Sequence, residues 1–194
     1  MSKACIQYLK DHQDLFLDQL KEYLRIPSVS AQSNHADDIQ RCADWLVDHC
    51  KSIGLKARKV KTAGNPVVIA KTPRKGKSKK PHFMVYGHYD VQPPDPLNLW
   101  TTSPFEPHID GDKLIARGAT DNKGQHFVHL KAVESYLKTG TELPCDITFM
   151  IEGEEEIGSP SLTPALEKLK SDLDVKAIVV SDNDPAGPPH RFYR

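Results

Sequence analysis

Residues 83–93 read FMVYGHYDVQP. Phe83 to Tyr86 run without polar alternation, the pattern of a strand buried on both faces inside a sheet. Gly87, His88 and Asp90 follow at once, and open α/β sheets place their sites in loops just beyond the carboxyl ends of strands. This stretch therefore predicts both an interior strand and a site at its end. The His-x-Asp spacing turns the two side chains to one side of an extended segment, which suits a metal-ligating imidazole held by a neighbouring acid. Taken alone, a histidine near a strand end is more often a satisfied hydrogen-bonding group.

Working outward, the chain alternates helical and strand patterns. Apolar positions at Leu9, Phe16, Leu20, Tyr23 and Leu24 predict one amphipathic helix over 3–25, stopped by Pro27. A second runs from about Asp37, with Ile39, Cys42, Ala43, Leu46, Cys50 and Ile53 on one face and Gly54 closing it. Strands are expected at 55–60, 66–70, 83–86, 146–151 and 177–180. Helices are expected at 122–138 and from Ser159-Pro160, whose residue types suit an N-cap and a first helical position. The basic run from Arg74 to Lys80 has no aromatic interleaving and a proline at each end, so a mobile hairpin loop is a better reading than a phosphate patch. Strands alternating with helices give an α/β fold with a mixed, largely parallel sheet flanked by helices.

Composition narrows the function. Lysine plus arginine (26) balances aspartate plus glutamate (26) in 194 residues, so no net field draws in nucleic acid or an anionic membrane. No stretch approaches the roughly 20 apolar residues a membrane helix needs, and the first residues carry no secretory h-region, so a cytoplasmic location is expected. Cys5, Cys42, Cys50 and Cys145 are scattered, without a C-x-x-C pair, and are read as reduced core or surface thiols.

Three further strand or turn ends carry acids. ARGATDNKGQ (116–125) puts Asp121 in a glycine-bounded turn before a helix, where a lone aspartate is usually an N-cap. IEGEEEIGS (151–159) packs Glu152, Glu154, Glu155 and Glu156 into five positions after an apolar strand. Like charges so close repel, and burying one costs several kcal/mol unless a cation compensates, so the bland reading is a solvated turn. The flanking glycines and the apolar strand argue instead for the mouth of the sheet. VVSD (179–182) sets Asp182 directly after the last strand. One imidazole and three separate acidic positions form a ligand set that zinc or manganese accepts. A carboxylate beside the ligands could serve as general base in metal-assisted hydrolysis.

GHYDVQP (87–93), LW (99–100), SPFEP (103–107), DG (110–111), ARGATDNKGQ and EGEEEIGS occur in an order that resembles the zinc-dependent exopeptidases, a family including carnosine dipeptidases, aminoacylase, carboxypeptidase G and peptidase-T-type enzymes. The likeness covers about residues 3–182 and is best to the dipeptidase branch. It implies two zinc ions, with manganese possible. His88 and Asp182 would hold one, with Asp184 a weaker candidate for the Asp182 role. Asp121 would bridge both, Glu156 would hold the other, Asp90 would orient His88 and Glu155 would be the general base; Glu154 falls at a variable position and is expected to be a bystander. The expected substrate is a dipeptide or short peptide. Alternatives are a non-catalytic metal-binding fragment and an acyl-amino-acid deacylase.

The same resemblance reads residues 1–182 as the N-terminal part of a catalytic domain and 183–194 as an irregular Pro-rich tail. The family's lid, through which its members dimerise, and its late histidine are expected to be absent, His190 not replacing the latter. Impaired turnover and an uncovered apolar sheet edge are expected in consequence.

Overall fold

The structure, a computed structural model, describes residues 2–74, 78–170 and 173–182. In chain order, α1 (Lys3–Asp11), α2 (Gln13–Leu24) and α3 (Ala36–Ser52) precede β1 (Lys56–Val60), β2 (Val67–Lys71) and β3 (His82–His88). A small hairpin, β4 (His108–Asp110) and β5 (Lys113–Ile115), leads to α4 (Lys123–Thr139), β6 (Asp146–Glu152), α5 (Leu162–Leu169) and β7 (Ala177–Val180).

The main sheet has the order β1-β2-β6-β3-β7. β2 is antiparallel to β1 and to β6, while β3 runs parallel to β6 and to β7, so the sheet is mixed and its parallel half contains β3 as an interior strand. Side-chain alternation explains why helices cover both faces. Val68, Ala70, Val85, Phe149 and Ile151 point into a core shared with Tyr23, Leu46, Phe127 and Leu130 of α2, α3 and α4. Val67, Ile69, Met84 and Met150 point the other way, onto Ala165 and Leu169 of α5. Each fully buried aliphatic side chain contributes about 1.5–3 kcal/mol, so both layers are needed to hold the strand ends in place. No helix among the described residues is long and apolar enough to cross a membrane. Cys5, Cys42 and Cys50 are buried free thiols, and Cys145 is a partly exposed one.

Three expectations change. The helix over 3–25 is two helices, broken at His12, which adopts φ −117°, ψ 16°. Its ring Nδ1–H donates to the Tyr8 carbonyl (2.8 Å) and the ring stacks on Tyr8, so a side-chain bond competes with the helical ladder at that point. The segment after β2 is not a hairpin loop, because β6 lies between β2 and β3. Residues 75–77 of its basic run lie outside the described residues. At its ends Arg74 pairs with Asp146 (3.2 Å) and Lys80 with Glu142 (2.8 Å). Finally, Ser159-Pro160 does not start the helix. Ser159 takes a left-handed φ of 52°, and α5 begins at Leu162 after Ser161.

Candidate metal centre

Parallel pairing aligns the carboxyl ends of three strands. His88 ends β3 opposite Glu152, the last residue of β6, and β7 ends at Val180, level with Tyr86. Asp182 lies two residues beyond β7 and Asp121 just before α4. Gly87 makes the close approach possible, since a Cβ there would sit 2.6 Å from Asn122 Oδ1.

His88 is fully buried. Its Nδ1–H donates to the backbone carbonyl of Asp90 (3.0 Å), with the Asp90 carboxylate Oδ1 at 3.5 Å. Nε2 makes no hydrogen bond to the described residues, yet Asp121 Oδ1 stands 3.0 Å from it, Asp182 Oδ2 3.5 Å and Glu155 Oε2 3.9 Å. A buried ring nitrogen aimed at three carboxylates is a costly arrangement unless positive charge, a proton on the ring or a metal cation, shares the space. The donors, one imidazole nitrogen with carboxylate oxygens, are those zinc and manganese take. Among the described residues, two groups have ligand atoms within 4.8 Å of one another, His88 with Asp121 and Asp182, and His88 with Glu155 and Glu156.

The electrostatics follow from the crowding. Burial would lower the His88 pKa, but the Asp90 carboxyl and then Asp182 overcome it and take it up to about 9. Glu155 is pushed up by burial, eased by His88 and pushed further by Asp182, Asp90 and Asp121. Glu156 is raised by burial, a hydrogen bond from Gln92 works against the rise, and Asp121 adds to it.

The acidic run is not a solvated turn, because most members have donors of their own. Glu152 accepts from Tyr86 Oη (2.6 Å) and Ser159 Oγ (2.9 Å). Glu154, expected as a bystander, is buried and accepts from the backbone N–H groups of Asn65 (2.8 Å) and Ser161 (3.0 Å), tying the start of β2 to the start of α5. Only Glu155 and Glu156 of the run join groups able to hold a cation among the described residues. Gly153 and Gly158 frame them: a Cβ on Gly153 would collide with the Tyr89 ring, and Gly158 has φ +86°. Asp121 is not an N-cap. Asn122 occupies that position, without a capping bond, and the Asp121 side chain is 60% exposed beside His88.

The residues that hold the candidate ligands in place carry no signal of their own in the sequence. Asn122 Oδ1 accepts from the His88 backbone N–H (3.2 Å) and from His126 Nδ1–H (3.1 Å), while its Nδ2 donates to Ser181 O (2.6 Å) and Asp182 Oδ1 (3.1 Å). With Nδ1 protonated, His126 Nε2 accepts from Tyr23 Oη (3.1 Å). Gln92 donates to Glu156 Oε2 (2.7 Å). An asparagine beside the expected ligand and a glutamine two residues past Asp90 have no spacing rule to mark them. Asp184 and His190 lie outside the described residues.

The fold is a mixed α/β sheet with a donor set that a divalent cation accepts at its carboxyl edge. The chain belongs to the peptidase family M20/M25/M40, whose profile matches residues 84–191. It is 33% identical over 193 residues to the Beta-Ala-His dipeptidase of Rattus norvegicus (91% of this chain, 39% of that protein). To the Cys-Gly metallodipeptidase DUG1 of Candida albicans it is 32% identical over 185 residues (87% and 38%). The chain thus spans less than half the length of these relatives. The crystal structure of human carnosine dipeptidase 1 superposes with a TM-score of 0.86 at 34% identity, covering 93% of this chain and 41% of that one. The M20 metallo-carboxypeptidase Sso-CP2 of Sulfolobus solfataricus gives 0.77 at 37% identity, covering 86% and 37%.

Proposed function

We propose that this centre hydrolyses dipeptides or other short peptides with two divalent cations, zinc or manganese. The observation that carries the reading is His88 Nε2, buried, without a hydrogen bond to the described residues and facing Asp121, Asp182 and Glu155. His88, Asp121 and Asp182 would hold one cation; Asp121 and Glu156 would hold the other. Bound there, such ions polarise a carbonyl and lower the pKa of water. Glu155, whose Oε2 lies 3.9 Å from His88 Nε2, suits a general base that takes a proton from the attacking water and delivers it to the leaving amine. Its backbone N–H on Asp90 (3.2 Å) fixes where that carboxylate can reach. Dipeptides are the proposed substrates because the relatives named above are a Beta-Ala-His dipeptidase and a Cys-Gly metallodipeptidase.

With His88 given to the first cation, the second would have only carboxylates among the described residues, so the His88 side should fill first and turnover by this chain should be slow. The test is dipeptide hydrolysis by the purified chain with added zinc or manganese, beside Glu155→Gln. A low, metal-dependent rate that vanishes in Glu155→Gln is expected. A rate that survives the substitution contradicts the assignment of the base. Metal uptake with no rate at all supports a non-catalytic metal-binding protein instead.

A further inference from the structure

The Asp90 carboxylate is completely buried and touches both the His88 ring and the backbone of Glu155 and Glu156. It accepts the backbone N–H of Glu155 on Oδ1 (3.2 Å) and that of Glu156 on Oδ2 (3.1 Å), the two residues that present the proposed base and ligand. A third donor comes from far away in sequence: Ser30 Oγ–H, 2.6 Å from Oδ2. At that length it is a charge-assisted hydrogen bond, the strongest of the three by distance and the one supplied by a side chain.

Ser30 is itself held in place. Ser28 Oγ donates to Tyr89 O (2.6 Å), Val91 N–H donates to Ser28 O (3.0 Å), and Val29, fully buried, bridges Val91 in parallel. The segment after α2 therefore runs as a short strand-like strap beside Tyr89–Val91 and delivers one hydroxyl to one carboxylate. Without that hydroxyl, Oδ2 keeps a single longer bond, and the carboxylate can rotate about its last torsion. Rotation would loosen the Glu155–Glu156 turn and change the distance to the His88 ring, now 3.5 Å from Oδ1.

We infer that Ser30 is a positioning residue of the metal centre, acting through Asp90 on His88 on one side and on Glu155 and Glu156 on the other. The inference rests on the metal reading above. Groups that orient metal ligands typically alter affinity by about 10- to 100-fold when removed.

The experiment measures zinc affinity of the purified chain by competition with a chromophoric chelator, for wild type, Ser30→Ala and Ser30→Thr, with melting of the metal-free proteins recorded in parallel. Ser30→Ala should bind zinc at least about tenfold more weakly, and Ser30→Thr, which keeps the hydroxyl, should stay within about threefold of wild type. The metal-free melting temperatures should not follow that order. Equal affinity in Ser30→Ala and wild type overturns the inference. So does equal loss in Ala and Thr, which assigns Ser30 to packing. If wild type takes up no zinc, the metal reading fails first and this inference falls with it.

Discussion

Three adjacent glutamates are proposed to do different work, and single-atom changes should separate them. Glu155→Gln should keep metal and lose about a hundred- to ten-thousandfold in turnover, the range of a general base. Glu156→Gln should lose metal from the second position, measured as a fall in bound zinc per chain. Glu154→Gln should leave zinc uptake unchanged but destabilise by about 1–3 kcal/mol in urea unfolding, because its buried oxygens hold Asn65 and Ser161 N–H groups. A Glu154 variant that lost zinc would overturn the register. The candidate positions could be named from the sequence because each stands at the end of an apolar run or in a glycine-framed turn, while the choice of Glu155 and Glu156 within their acidic run, and the role of each residue, came from the family resemblance. Asn122, Gln92 and Ser30 were not, because a hydrogen bond across 60 residues, as from Ser30 to Asp90, leaves no local pattern.

Among elements, the cluster between α2, α3 and α4 carries a pH dependence of its own. Lys131 Nζ donates to Gln19 Oε1 (2.6 Å), His49 Nε2 (2.9 Å) and Glu134 Oε2 (2.8 Å). Burial, and then Lys131, lower the His49 pKa from its usual 6.5 to about 3. The unfolded chain takes up this proton as pH falls through 6.5, and the folded chain does not until about 3. The stability His49 contributes is therefore present above 6.5 and lost progressively as pH falls toward 3. His49→Gln, which can still accept from Lys131, should flatten the acid limb of a melting-temperature profile; an unchanged limb would contradict this account. Element types and approximate bounds were readable from periodicity, as with α3, whose buried face matches the apolar residues from Ile39 to Cys50. Pairing was not: β6 inserts between β2 and β3 by contacts remote in sequence, and the break at His12 depends on one side-chain bond and a stack. The β4–β5 hairpin, turning at Gly111 with φ +61°, lay hidden in the Pro-rich segment.

At the scale of the molecule, the sheet has one guarded side and one that the described residues leave open. β7 pairs with β3 along one edge, while Ile178, Val179 and Val180 remain 55%, 40% and 54% exposed. Exposed apolar edge strands favour self-association. Sedimentation should show concentration-dependent association that Ile178→Lys reduces, and a monomer at all concentrations would contradict that expectation. The guarded side is the carboxyl edge of the parallel strands, where His88, Asp121, Asp182, Glu155 and Glu156 meet, and the central claim is that a divalent cation belongs there. Its most direct test is elemental analysis of the purified chain after dialysis against zinc and then against zinc-free buffer, beside His88→Ala. Bound zinc retained by wild type and lost in His88→Ala is the predicted result; equal zinc in both, or none in wild type, would contradict it.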